Sequence, residues 1–234
     1  MLDGIIRMSA DAGIKQFSIL DRVSQNVSNM NTPGYKAKEF QQYLMVDGTI
    51  GGVERVDTSQ GQMVDTGREL DIAIKGKGYF PLTQPDGSIA YTRDASFIRN
   101  KDGFITSMRG DILGEGIRVP AEANKIVVNK TGDVTALLPE GKEVEVGKIG
   151  LVMFRNPEGL QSIGYNKLVP TSMSGAAEVD TTGSTLLQGR IEQANVNMYL
   201  QIDQILRLNA GLISNLRVVK YIDDVYKQAA NLRQ

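Results

Sequence analysis

Apolar positions in the first thirty residues recur at helical spacing. Ile6, Ala10, Gly13, Phe17, Leu20, Val23, Val27 and Met30 step by three or four, which puts them on one face of an α-helix. Asp3 and Asp11 each precede a base by four residues, Arg7 and Lys15. That order supports a helix by roughly 0.2–0.5 kcal/mol per pair. The pattern should end near Asn31, because Thr32 stands before Pro33 and Gly34 follows.

The period changes over residues 67–187. Leu70, Ile72 and Ile74 alternate with polar or small residues, as do stretches of YTRDASFIRN and GKEVEVGKIGLVMF. Turn signals recur at Asp86-Gly87, Asp102-Gly103, Thr131-Gly132-Asp133 and Glu140-Gly141, and Pro120, Pro139, Pro157 and Pro170 fit between strands. The region reads as hairpin-rich and antiparallel, a sandwich or open barrel.

From Gln188 the helical period returns through Ile191, Ala194, Met198, Ile202, Ile205, Leu208, Leu212, Leu216, Val219, Ile222, Tyr226 and Ala230. Asp203 with Arg207 and Asp223 with Lys227 repeat the acid-before-base pairing. Two glycines, Gly189 and Gly211, and no proline interrupt it. Such a helix would be about 67 Å long, whereas a compact chain of this size is roughly 45 Å across. It should overhang, with the first helix covering part of its apolar surface. Tyr199, Leu206 and Ile213 form a second apolar line, and the polar positions are largely Asn, Gln and Ser. A free helix normally has a charged back, so this one reads as contacted from several sides.

The pattern predicts an α+β fold: N- and C-terminal helices, the first covering part of the last, with a central antiparallel β-rich domain. Residues 1–35 and 188–234 would form the helical core, 36–66 an extended connector and 67–187 the β-rich domain.

Composition narrows the chemistry. The 234 residues can bury a sizeable core in one domain or two. There is no Cys and no His, which removes disulfides, thiolate and imidazole metal sites and a Ser-His-Asp triad. Lys+Arg 26 against Asp+Glu 27 leaves a net charge of −1, without the basic excess a nucleic-acid binder needs. The apolar runs are far shorter than the ~20 residues of a membrane span. The start MLDGIIRMSADAGIKQ lacks the plan of a secretory signal peptide. A cytoplasmic protein, or one exported without a cleaved signal, is expected, with no cofactor and no metal.

The individual motifs are bland. Gly76-Lys77-Gly78-Tyr79 lacks the phosphate-loop spacing and reads as a tight turn. Asp223 and Asp224 point apart on a helix, and Glu143 and Glu145 lie among lysines as a solvated ladder. No SxxK is present. The methionines read as gap fillers. Asn26-Val27-Ser28 and Asn129-Lys130-Thr131 match the glycosylation pattern but are discounted, the first for lying in a helix. The stretch NVSNMNTPGYK is denser in Asn and Ser than a helix stop requires. Its amides could bond neighbouring backbones, within the molecule or across subunits.

QNVSNMNTPGYKAKEF, residues 25–40, resembles the N-terminal motif of bacterial flagellar axial proteins, the rod and hook subunits. ELDIAIKGKGYF, YTRDASF, KDGFITSMRGDILGEG and IRVP resemble the family's middle domain in the same order, and GKIGLVMFRNPEGLQSIGYN, TSMSGA and LLQGRIEQANVN its later segments. The likeness covers nearly the whole chain. It departs at Ala95, where the family has glycine, and at Asn209-Ala210-Gly211-Leu212, where the family's arginine and later aromatic are absent. The segment from Phe40 to Gly67 is short for a distal-rod subunit, and the middle region is small for a hook subunit.

The resemblance implies a structural subunit that is not an enzyme. It would be exported by the flagellar type III apparatus and polymerised helically into the periplasm-spanning rod, with the N- and C-terminal helices paired as an inner coiled coil and the β domain outermost. Its partners would be copies of itself, other rod subunits, the hook and periplasmic ring proteins. Contacts are expected at Ile6, Phe17, Leu20, Val23 and Val27 of the first helix and at Ile202, Leu206, Ile213, Leu216 and Val219 of the last. Asn29, Pro33, Gly34 and Tyr35 should shape the turn that leaves the helix, and Asn195 and Val196 of the ANVN motif complete the set. Rival readings are a non-polymerising β-rich binding module with a helical stalk, a short hook-type subunit, and a Ser-Lys or carboxylate hydrolase.

Overall fold

The described residues form two α-helices, two single-turn 3-10 helices and eighteen short strands. The computed structural model describes residues 2–46, 49–181 and 183–231, without the side chains of residues 2–9, 50, 140, 229 and 230. The chain divides into a terminal unit (Met1–Asn29, Ala37–Asp57, Val196–Gln234) and a central unit (Met30–Lys36, Thr58–Asn195).

In the terminal unit, α1 (Leu2–Ser28) and α2 (Met198–Asn231) run antiparallel. Asn26 Nδ2 donates to Gln201 Oε1 at 3.1 Å, and Asn215 reaches Gln16 at 3.4 Å. The inward line on α1 is Ala12, Gln16, Ile19, Val23 and Asn26; on α2 it is Gln201, Gln204, Leu208, Gly211, Asn215 and Ile222. A Cβ on Gly211 would lie 2.6 Å from Gln16 Nε2, so the helices approach closely because this position has no side chain.

This seam is rotated from the apolar stripe that the sequence suggests. Phe17 and Leu20 face outward, while Gln16 and Asn26 face inward. The amides satisfy one another and the backbone, so they can be buried without an unmet hydrogen bond. A reading based on apolar spacing passes over such a seam.

Two expected boundaries are corrected. The last helix begins at Met198, not Gln188. The Asn197 side chain accepts the N–H groups of Tyr199 at 3.0 Å and Leu200 at 3.4 Å, an N-cap that fixes the start. The preceding residues pair as strands. Residues 36–66 are likewise more than a connector. β1 (Lys38–Leu44) and β2 (Ile50–Val56) form an antiparallel hairpin, registered from Lys38↔Val56 to Leu44↔Ile50. Arg22 of α1 ties to Glu54 of β2 at 2.8 Å.

The central unit runs β3 (Met63–Asp65), β4 (Ile72–Lys75), β5 (Phe80–Thr83), β6 (Ile89–Thr92), β7 (Phe97–Arg99), β8 (Ile105–Ser107), β9 (Ile112–Leu113), β10 (Lys125–Val128), β11 (Asp133–Leu137) and β12 (Glu143–Lys148). It continues with β13 (Val152–Met153), β14 (Gln161–Gly164), β15 (Lys167–Val169), β16 (Glu178–Val179), β17 (Thr185–Gln188) and β18 (Arg190–Glu192). Seven of these strands form an antiparallel sheet in the order β14-β15-β6-β5-β9-β8-β7, and β10-β11-β12 form a second. β17 returns to pair with β4, and β18 with β3.

Alternate residues of β4 and β5 point into a core of Ile72, Ile74, Phe80, Leu82, Ile105, Leu113 and Val134. Phe80 meets Phe97 edge-on at 5.1 Å, a favoured aromatic geometry. A second cluster packs Phe154 against Tyr79 and Tyr91. Gly76-Lys77-Gly78-Tyr79 makes the turn between β4 and β5, and the solvated ladder of Glu143 and Glu145 is exposed on β12. Among the described residues, no helix is long and apolar enough to cross a membrane.

Candidate assembly surfaces

After α1 and α2 have paired, both still present large apolar side chains to solvent. On α1 these are Ile14, Phe17 and Leu20, with Phe17 at 65% exposure. On α2 they are Tyr199, Ile202, Leu206, Ile213, Leu216 and Val219, with Leu206 at 63%. Water-facing apolar groups at helical spacing form a stripe, and a contiguous exposed stripe marks a contact surface. The hairpin adds Tyr43, Leu44, Met45 and Val46, all exposed at and just past the end of β1, a further apolar patch open to solvent. Sequence reading missed this group by treating the segment as a connector, although EFQQYLMV has the residue types of a strand.

The expected contact residues separate into groups. Phe17, Leu20, Ile202, Leu206, Ile213, Leu216 and Val219 lie on the outer faces. Val23, at 1% exposure, belongs to the inner seam, where the 3.5-residue repeat brings it after Ile19, so it is not on the outer face. Val27 is half-buried. Ile6 lies in α1, but its side chain is outside the described residues.

The turn residues act within the chain. Asn29 donates its amide to Gln25 O at 2.9 Å, and Pro33 O accepts from Asn166 Nδ2 at 2.7 Å. Gly34 has φ +68°, and a Cβ there would sit 2.4 Å from Arg93 O. Both the left-handed backbone and the close approach require glycine. Tyr35 O accepts the Asn195 N–H at 3.4 Å, and Asn195 Nδ2 donates to Ser59 O at 3.1 Å. Val196 is half-buried. Asn26 also brackets the hairpin start, donating to Lys38 O at 2.8 Å and accepting from Lys38 N at 2.9 Å. The Asn-rich stretch thus spends these amides inside the molecule.

The central unit buries a charge cluster that spacing along the sequence did not reveal. Glu192 Oε1 accepts from Lys36 Nζ at 2.6 Å and from Gly61 N at 2.8 Å. Its Oε2 accepts from Arg93 Nη2 at 2.7 Å and Nε at 3.0 Å. Arg93 Nη1 donates to Gly76 O and Gly78 O, and its guanidinium lies 5.8 Å from the Tyr79 ring centre. Burial alone pushes the Glu192 carboxyl up, but attraction to Arg93 and then Lys36, with their hydrogen bonds, outweighs it and holds the group below 4.5. Burial pushes the Tyr79 hydroxyl up, against the pull of Arg93. The signal in the sequence is that Lys36, Arg93 and Glu192 each sit in a quoted motif: TPGYK, YTRD and RIEQANVN.

Residues 73–136 match the family model of the flagellar hook protein FlgE/F/G D1 domain. A chain that joins this domain to terminal helices with outward apolar stripes is of the flagellar axial class. The chain is 32% identical to the flagellar basal-body rod protein FlgG of Caulobacter vibrioides, over 97% of this chain and 98% of that protein. It is 29% identical to FlgG of Bacillus subtilis over the same shares, and 28% identical to the rod protein FlgF of C. vibrioides over 88% of this chain and 86% of that one. The chain belongs to the family of flagellar basal-body rod proteins, structural subunits of the basal-body rod.

Proposed function

We propose that this rod subunit polymerises helically through the outer faces of α1 and α2, and that the polymer is the drive shaft carrying torque to the hook and filament. The observation that carries the reading is the row of solvent-facing apolar side chains left on both helices after they have paired: Ile14, Phe17 and Leu20 on one, Leu206, Ile213 and Leu216 on the other. The two rows lie on different helices, so a neighbour meets a surface unlike its own. A heterologous contact builds a filament when its rotation does not close, and we take this contact to be of that open kind. Burial at about 25 cal/mol per Å² drives it, opposed by the ordering of the chain ends.

The three- and four-residue steps of both seams, with one step of seven from Asn215 to Ile222, support a coiled-coil core. The subunit acts without catalysis. Its partners are copies of itself, other rod subunits, the hook, the export apparatus and periplasmic rings, and its route is type III export without a cleaved signal. Lack of cysteine suits assembly in an oxidising compartment. Replacing Leu206 by Asp tests the outer face in cells: loss of motility is expected, with the subunit missing from isolated basal bodies and the central unit folded. Normal motility would contradict the assignment of that face.

A further inference from the structure

The central unit has two ways in and out for the chain. Lys36 is its last residue before Ala37, and Glu192 stands three residues before its other exit at Asn195. Both belong to one buried cluster with Arg93; the Glu192 and Arg93 side chains are 1% and 5% exposed.

Residues 189–195 lie across this unit as a strap. Gly189 N and Arg190 N donate to Asp71 O at 2.7 and 3.3 Å. Glu192 O accepts the Gly34 N–H at 2.7 Å, and Gln193 N donates to Gln62 O at 2.8 Å. Three residues pair with β3. Ile191, Ala194 and Asn195 are half-buried and Gln193 is exposed. The fully buried side chain of the strap is therefore a carboxylate. The segment just before it differs, since β17 places Leu186 in the apolar core. A segment held by polar contacts, next to one held by apolar packing, can open by itself.

We propose that residues 189–195 are a charge-latched strap: the ionised Glu192 carboxylate closes it over Lys36 and Arg93, and protonation opens it locally while the sheets stay folded. The groups facing the carboxylate are Lys36 from the segment after α1, Arg93 from the turn after β6, and the Tyr79 hydroxyl beside Arg93. At the base of the strap, Asp65 pairs with Arg190, and Asp71 takes Arg68 and Thr66. Once neutral, Glu192 leaves two cations facing each other in a dry site. The least costly relief is to let the strap lift and admit water. Because Glu192 O holds Gly34 and Asn195 N holds to Tyr35 O, opening would loosen the entering segment together with the leaving one.

Amide hydrogen exchange of the full-length protein tests this. The reporters are the Gly34, Gly61, Gln193 and Asn195 amides, with Phe80 and Leu82 of β5 as the core reference. In the wild type, protection factors of the four strap amides should fall at least tenfold as pH drops through and below the ordinary carboxylate range, while those of β5 hold. Glu192→Gln should show low strap protection at every pH. If the strap amides keep their protection in acid, or lose it together with β5 as one unit, the latch is overturned. The wild-type titration decides the matter even if the variant does not fold.

Discussion

Glu192, Arg93 and Lys36 show how much of the central unit depends on single polar atoms. Removing one partner of a buried ion pair leaves an uncompensated charge, which costs about 3–5 kcal/mol. Glu192→Gln should therefore lower the unfolding free energy of the full-length protein by that order, read as a drop in urea midpoint by circular dichroism. Gly34→Ala meets a different obstacle, φ +68° and an added Cβ that would lie 2.4 Å from the Arg93 carbonyl oxygen. It should cost more than about 1 kcal/mol by the same measurement. Neither role was legible from spacing. Lys36, Arg93 and Glu192 are far apart in the chain, and a charged side chain reads as solvated until the fold removes its water. Only their place in three family motifs marked them. Gly34 was legible as a helix stop, but its contact with Arg93 was not.

The strands and turns of the central unit followed from alternation and Asp-Gly signals, because half-buried strands obey a period of two. The helices were legible as helices, but their inner faces were not. Gln16, Asn26, Gln201 and Asn215 line the seam, and apolar periodicity cannot count amides. The start of α2 was readable in principle from Asn197, a good N-cap residue just before an unbroken helical run. Asn197→Ala should lower stability by about 0.5–2 kcal/mol. A contrast tests which face is which. Val23→Asp puts a charge in the seam and should reduce helix content at every protein concentration. Phe17→Asp lies on the outer face and should leave helix content unchanged in the dilute subunit, as seen by far-ultraviolet circular dichroism.

On the scale of the molecule, acid should weaken the fold in a defined direction. Glu192 is held below 4.5 in the folded chain. Its contribution is complete above that value and is lost as pH falls through the lower value it has in the fold. Urea midpoints should decline in acid, and less steeply in Glu192→Gln. A near-zero net charge lets many identical copies pack without mutual repulsion, and the outward stripes on α1 and α2 are the surface we propose they share. The central claim is that these stripes build an open helical polymer. Negative-stain microscopy of the purified subunit at rising concentration tests it most directly. Wild-type protein should give rods or helical stacks, and Leu206→Asp should stay as single particles with an unchanged β signal. Wild-type particles that remain single or close into small rings at every concentration, or Leu206→Asp rods formed as readily as wild type, would contradict the account.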